Sequence, residues 1–241
     1  MKKFINFTML LVVVLSLVSC GNKSKSDINV PTEYCEELVK LAKGGNAVAQ
    51  HNLAICYDKG YGVAQSHAEA VVWYRMAAEQ GLAQAQYNLG YCYAHGEGIE
   101  QSFLDAVAWY KKAAKQGYVK AQYNLGECYI RGKGVAQSYS EANKWFLKAA
   151  EQGDAESQYN LGVSYERGLG VEQSFADAVA WYKKAAEQGM AKAQFNLALK
   201  YGRGEGVEQS EAEAIKWFQK AAEQGFEPAI ELLTGLQNAT D

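Results

Sequence analysis

The residues best equipped for chemistry in this chain are three histidines, five cysteines and a set of closely spaced glycines. His51, His67 and His95 form no metal-ligand spacing and no H-x-x-x-H pair, so they read as surface or groove-lining imidazoles. The pair Gly60-x-Gly62 has the glycines of a phosphate loop but follows a helical pattern and lacks the Lys-Ser/Thr ending. It reads as a turn. No Ser-x-x-Lys occurs anywhere, which removes the nucleophile motif of β-lactam-handling serine enzymes. The expectation is a protein without catalytic residues, metal or cofactor. A net charge of −3 on 241 residues also argues against a nucleic-acid partner, which would need a basic stripe for phosphates.

The elements that must position these residues follow from a period of 36. Trp73, Trp109, Trp145, Trp181 and Trp217 are equally spaced, and so are Asn52, Asn88, Asn124, Asn160 and Asn196, each followed by Leu. Residues 45–224 form five such blocks. In each, a first helix (Ala47 to Lys59 in block one) places Ala49, Leu53, Cys56 and Tyr57 on one face. Gly60 supplies a left-handed cap and Gly62 a second unusual dihedral. Ser66 opens a second helix with Glu69 three residues on, the pattern of a capping box, and its copies follow in every block. The second helix presents Ala70, Trp73 and Ala77, then stops at Gln80–Gly81. Residues 32–44 fall in second-helix phase and residues 225–241 begin in first-helix phase, so a capping helix is expected at each end. A helix pair this small cannot bury its apolar face alone and must stack. The expected fold is all-α, a solenoid of twelve helices.

Ala83–Ile99 (A-Q-A-Q-Y-N-L-G-Y-C-Y-A-H-G-E-G-I) and Ala106–Gly117 (A-V-A-W-Y-K-K-A-A-K-Q-G) carry a family pattern that recurs five times. The chain resembles the Sel-one-like repeat family, relatives of the tetratricopeptide repeat. The resemblance implies an α/α superhelix acting as an adaptor or scaffold for other proteins, without implying one activity. Cysteine-rich relatives suggest a rival, a hydrolase or binder acting on β-lactams or cell-wall peptides. Their cysteines eight apart are missing here, where those phases hold Ala78 and Gln86. A purely structural spacer is the third possibility.

On the first helix of each block, positions 48, 52, 55 and 59 and their copies lie opposite or beside the packed face and form an exposed ridge toward an inner groove. One column is the five asparagines. A second is Lys59, His95, Arg131, Arg167 and Arg203; a third varies and includes Tyr91 and Glu127. Fixed amides beside variable side chains suit an extended peptide. Two structural readings stay open: asparagine can satisfy backbone groups, and basic residues suit helix C-termini.

The N-terminus places the protein. Lys2 and Lys3 precede an uncharged run from Phe4 to Val18, too short for a comfortable span but suited to a signal peptide over residues 1–19. Leu17-Val-Ser-Cys20 resembles a bacterial lipobox, which implies lipidation of Cys20, a tether over residues 20–31, and membrane anchoring in the envelope. Gly21 and Asn22 give no Asp-type retention signal, so the outer membrane is favoured, on its periplasmic or surface face. In an oxidising space Cys56, Cys92 and Cys128 share one phase and lie too far apart to pair with each other. Cys35 and Cys56 flank Gly45 at 10 and 11 residues, heights that suit a disulfide on antiparallel helices.

Overall fold

A computed structural model describes residues 32–238, with side chains from 36 to 235. Those residues form twelve helices: α1 Thr32–Lys43, α2 Ala47–Lys59, α3 His67–Glu79, α4 Ala83–His95, α5 Phe103–Lys115, α6 Val119–Arg131, α7 Tyr139–Glu151, α8 Ala155–Arg167, α9 Phe175–Glu187, α10 Ala191–Arg203, α11 Glu211–Glu223 and α12 Glu227–Asn238. They divide into two compact units, Met1–Trp109 and Tyr110–Asp241, with the boundary inside α5. Each unit is built of stacked antiparallel helix pairs. The chain is all-helical, as the period requires. The signal segment 1–19, Cys20, the tether 20–31 and the last three residues lie outside the described residues, and the Cys35 side chain does too.

Local chemistry sets every element boundary. The first helices of all five blocks end on a glycine with φ between 63° and 74°. The loop then closes through the Gln-Ser pair. The Gln65 side-chain amide donates to the Asp58 carbonyl at 2.8 Å, and Gln101, Gln137, Gln173 and Gln209 repeat the bond. Ser66 and its copies each accept from the backbone N–H three residues on, at 3.2–3.3 Å. The acids do not complete the expected capping box: the backbone N–H of Ser66 and of each copy donates to the tyrosine carbonyl nine residues back at 2.9–3.0 Å, and Glu141 and Glu213 pair forward with Lys144 and Lys216. The second loop glycine allows close packing as well as a positive φ. A Cβ on Gly98 would lie 2.2 Å from the His67 carbonyl oxygen, and one on Gly206 would lie 2.2 Å from the Phe175 carbonyl carbon. Each such loop therefore lies directly on the start of the second helix of the preceding block.

The core differs from the expectation in one respect. In the first four blocks the ring buried deepest by the second helix is not the tryptophan but its successor, with Tyr74, Tyr110, Phe146 and Tyr182 at most 4% exposed; in the fifth, Trp217 and Phe218 are both buried at 6% exposure. Gly126 and Gly162 account for two of these rings, since a Cβ at either would sit 2.5 Å from the ring of Phe146 or Tyr182; Ala54 stands in that register against Tyr74. The glycine notch admits the ring. Trp145 and Trp181 stay half-buried, roofed by Lys148 and Lys184 at 4.5 and 3.8 Å from the ring centroids.

A column of buried glutamines ties three successive helices together. Gln50, Gln86, Gln122, Gln158 and Gln194 are 3–5% exposed, and each donates at 3.1 Å to an alanine carbonyl ending the preceding helix. The oxygens of Gln50, Gln122, Gln158 and Gln194 accept from Gln80, Gln152, Gln188 and Gln224, at the end of the following helix. Both functional groups of a buried amide are thereby satisfied.

Candidate functional site

The first helices of the blocks carry the predicted ligand-binding columns. Within each unit the column at Val48, Gln84, Lys120, Glu156 and Lys192 is exposed, and so is the column at Lys59, His95, Arg131, Arg167 and Arg203. The asparagines differ from the expectation. Asn52, Asn88, Asn124, Asn160 and Asn196 are half-buried and form the floor between these columns, not a crest. The amides of Asn88, Asn160 and Asn196 already meet protein groups. Asn88 Nδ2 lies 3.1 Å from His51 Nε2 and is also hydrogen-bonded to the Tyr74 hydroxyl. Asn196 is hydrogen-bonded to the hydroxyls of Tyr159 and Tyr182. Asn160 faces Phe146 in the same register, which has no hydroxyl, and turns to Glu127 Oε1 at 3.5 Å. Arg131 grips the other oxygen of Glu127 at 2.9 Å, so Arg131, Glu127 and Asn160 make one polar strip across two blocks.

In the first unit Tyr91 is exposed and stacks on His95 with ring centroids 4.0 Å apart. His51 fills a place held by Tyr87, Tyr123, Tyr159 and Phe195 in the other blocks, and its ring lies 5.7 Å from that of Tyr74. Burial pulls its pKa below 6.5, so it is held neutral. At the end of the second unit a cavity of about 360 Å³ has Leu199, Arg203, Ile215, Phe218 and Leu232 in its walls. Gly202 lines it too, at a position where the earlier blocks carry Asp58, Ala94, Ile130 and Glu166.

Two groupings were invisible in the linear sequence. In the second unit Lys200, 2% exposed, forms ion pairs with Glu166 and, at 2.7 Å, with Glu205. Its ammonium lies 4.8 Å from the Phe175 ring centroid, and Tyr182 donates to Glu166 at 2.6 Å. Burial, then the Glu166 contact, pushes the Tyr182 hydroxyl far up. In the first unit Asp58, His67 and Glu97 converge, with ligand atoms within 4.8 Å of one another. The absence of a metal-ligand spacing in sequence therefore does not carry over to space. His67 Nδ1 lies 2.8 Å from Asp58 Oδ1, and Lys59 meets Asp58 Oδ2 at 2.8 Å. Cys92 is buried beside them: burial, then the charges of Asp58 and Glu97, push its thiol up to about 12. Cys128 is similarly buried, its thiol pushed up to about 11 by burial first. Cys92 and Cys128 do not pair with each other, as their shared phase led us to expect. Cys56 is half-buried, and its pairing with Cys35 falls outside the described residues. No helix among the described residues is long and apolar enough to cross a membrane.

Comparison with known proteins agrees with this geometry. The chain matches the Sel1 repeat at residues 47–82, 83–118, 119–154, 155–190 and 191–226. It is 37% identical to a protective antigen of uropathogenic Escherichia coli displaying an SLR fold, over 92% of this chain and 47% of the antigen, at a TM-score of 0.83. The chain thus spans about half the length of that antigen. A Sel1 repeat protein of Oxalobacter formigenes is 33% identical over 94% of this chain and 87% of its own, at a TM-score of 0.78. An immunity protein of Pseudomonas aeruginosa, 23% identical over 92% of this chain and 84% of its own, shares the fold at a TM-score of 0.51. No curated protein matches the chain. Five consecutive repeats, stacked as helix pairs with glycine-capped turns, place the chain in the Sel1 repeat family.

Proposed function

We propose that this protein is a non-catalytic interaction scaffold, anchored to the bacterial envelope through lipid on Cys20, that binds an extended segment of another protein. Sel1 repeats typically mediate protein interactions. The supporting observation is the composition of the first-helix surfaces. Within each unit a floor of half-buried amides runs between an exposed, mostly basic column and an exposed column that changes, from Val48 to Gln84 in the first unit and from Lys120 to Glu156 and Lys192 in the second. Fixed amides suit the main chain of any extended segment, and changing neighbours suit its side chains. The cavity behind Leu199 and Arg203 is wide enough for one apolar side chain with an acidic group at its mouth.

Photo-crosslinkers placed at Glu156 and Lys192, and separately at Leu147 on the outer helices, test this in intact envelopes. The reading expects the same discrete partner from both first-helix positions and none from Leu147. Identical adducts from both surfaces, or none from the first helices, refute it. With the partner in hand, N124A/N160A should weaken binding about tenfold, from two hydrogen bonds of about 1 kcal/mol each with partial compensation. Anchoring has its own test: the wild type should fractionate with membranes, and Cys20→Ser should be released or persist as an uncleaved precursor.

A further inference from the structure

The chain contains its own comparison for the Asp58–His67–Glu97 cluster, because the same positions recur three blocks later as Glu166, Phe175 and Glu205. Both places have one architecture. The first acid ends a first helix, the ring begins the second helix, and the second acid sits in the next block's loop, between its two glycines. Gly98 and Gly206 lock that loop onto the ring residue's backbone in the same way. In both places two carboxylates are therefore forced together by the fold. The intervening junctions hold no such pair, carrying Ala94 with Lys133 and Ile130 with Leu169.

At the later place the protein supplies the cation. Lys200 reaches both carboxylates from the interior with its side chain only 3% exposed. At the earlier place the residue in Lys200's position is Cys92, which is 5% exposed and forms no disulfide. Lys59 does not replace Lys200. Lys59 is a rim residue with its side chain 56% exposed, and its counterpart three blocks later, Arg167, is likewise exposed beside Glu166 while Lys200 holds both carboxylates from the interior. What the earlier place has instead of an interior ammonium is an imidazole, where the later one has Phe175.

We infer that Asp58, His67 and Glu97 form a binding site for a divalent transition-metal ion of the zinc class, the ion taking the role that the Lys200 ammonium plays three blocks later. An imidazole nitrogen with two carboxylate oxygens selects zinc-like ions over magnesium or calcium, which prefer all-oxygen shells. Bonds of about 2.0–2.2 Å require ligand atoms roughly 3.4 Å apart. The observed separations, up to 4.8 Å, close to that value by small rotations of exposed His67 and half-buried Glu97. Three protein ligands leave a coordination position for water or for a partner's side chain. Cys92 lies beneath the carboxylates as a nearby soft donor.

The test uses the full chain, stripped of metal with a chelator and titrated with Zn²⁺ and Co²⁺ alone, by calorimetry and by the visible absorption of Co²⁺. One equivalent should bind with Kd below about 10 μM. H67F copies Phe175, E97Q removes one charge, and C92K copies Lys200. Each should weaken binding at least tenfold, and C92K should melt no lower than the wild type in chelator. Absence of saturable binding overturns the proposal. So does binding that survives H67F and E97Q, which would place the ion at another histidine. Should C92K fail to fold, H67F and E97Q decide the matter alone, since Phe fills the His67 position in two other blocks.

Discussion

Gln158→Ala is the sharpest probe of what holds successive repeats together. The Gln158 side chain is 4% exposed in the first turn of α8. Its Nε2 donates to the Ala150 carbonyl at 3.1 Å, and its Oε1 accepts from Gln188 at 2.8 Å. Truncation removes two hydrogen bonds, each worth about 1 kcal/mol net. The Ala150 carbonyl is not orphaned, because Gly153 N–H also donates to it at 3.0 Å, so the full penalty for an unmet buried acceptor does not apply. Loss of the buried Cγ methylene adds about 1 kcal/mol. The expected cost is about 3 kcal/mol. Gln158→Met retains the volume and should cost about 2 kcal/mol, which isolates the polar contribution. Gln188→Ala gives up one bond from an exposed residue and should cost about 1 kcal/mol.

Urea unfolding followed by tryptophan fluorescence suits the measurement, since Trp145 and Trp181 lie on the helices that the clamp joins. Repeat arrays lose two-state behaviour easily, so midpoint and slope must both be fitted. A change in slope would show that the clamp carries cooperativity between repeats as well as stability. The double mutant with Gln188→Ala should show a coupling of about 1 kcal/mol. A Gln158→Ala protein within 0.5 kcal/mol of the wild type, or a coupling near zero, would refute the clamp.

Two further perturbations use the other blocks as templates. Ser157 is fully buried with no partner for its hydroxyl, and alanine holds its place in the other four blocks, so Ser157→Ala should stabilise by about 1 kcal/mol in the same urea assay. His51 titrates below 6.5 in the folded state because it is buried, so the unfolded chain takes up the proton first. The stability this confers is complete above pH 6.5 and is lost as pH falls from there through the folded value. His51→Tyr, matching Tyr87, Tyr123 and Tyr159, should abolish that loss between pH 7.5 and 5.5; an unchanged pH dependence would remove His51 from the account.

How much of this was legible before the structure follows from the range of each interaction. Glycine caps, serine N-caps and helix limits depend on residues within a few positions, and each falls at its expected place. Nothing local marks the glutamine column, because its partners lie 8 and 30 residues away and only three assembled helices bury it. Trp and its successor share nearly one helical face, so periodicity could not choose between them. At Phe146 and Tyr182 the notch at Gly126 and Gly162 admits the successor, and a notch is a property of the neighbouring helix. For the same reason the asparagines looked exposed: a helical wheel includes no tyrosine hydroxyl from the previous block. His67, Asp58 and Glu97 lie in three different phases of the repeat, and they meet only because Gly98 presses its loop onto α3.

The departures from the repeat are therefore more informative than the repeat itself, and they come in sets. Where the column of Cys56, Cys92 and Cys128 turns polar at Ser164, the facing column of valines turns polar too, at Asn143. The Ser164 hydroxyl donates to the Asn143 side-chain oxygen at 2.8 Å, and the Asn143 amide donates onward to the Leu169 carbonyl at 2.7 Å. Where the same column becomes Lys200, two acids meet it. A lone polar substitution in a stack of helices leaves an unmet group at a cost of about 1–3 kcal/mol, whereas a matched set costs little. Asp58 and Glu97 are the set whose central interior member is a thiol, not a cation, with an imidazole at the mouth. By the logic that accounts for the other two sets, the missing partner of that pair comes from outside the chain.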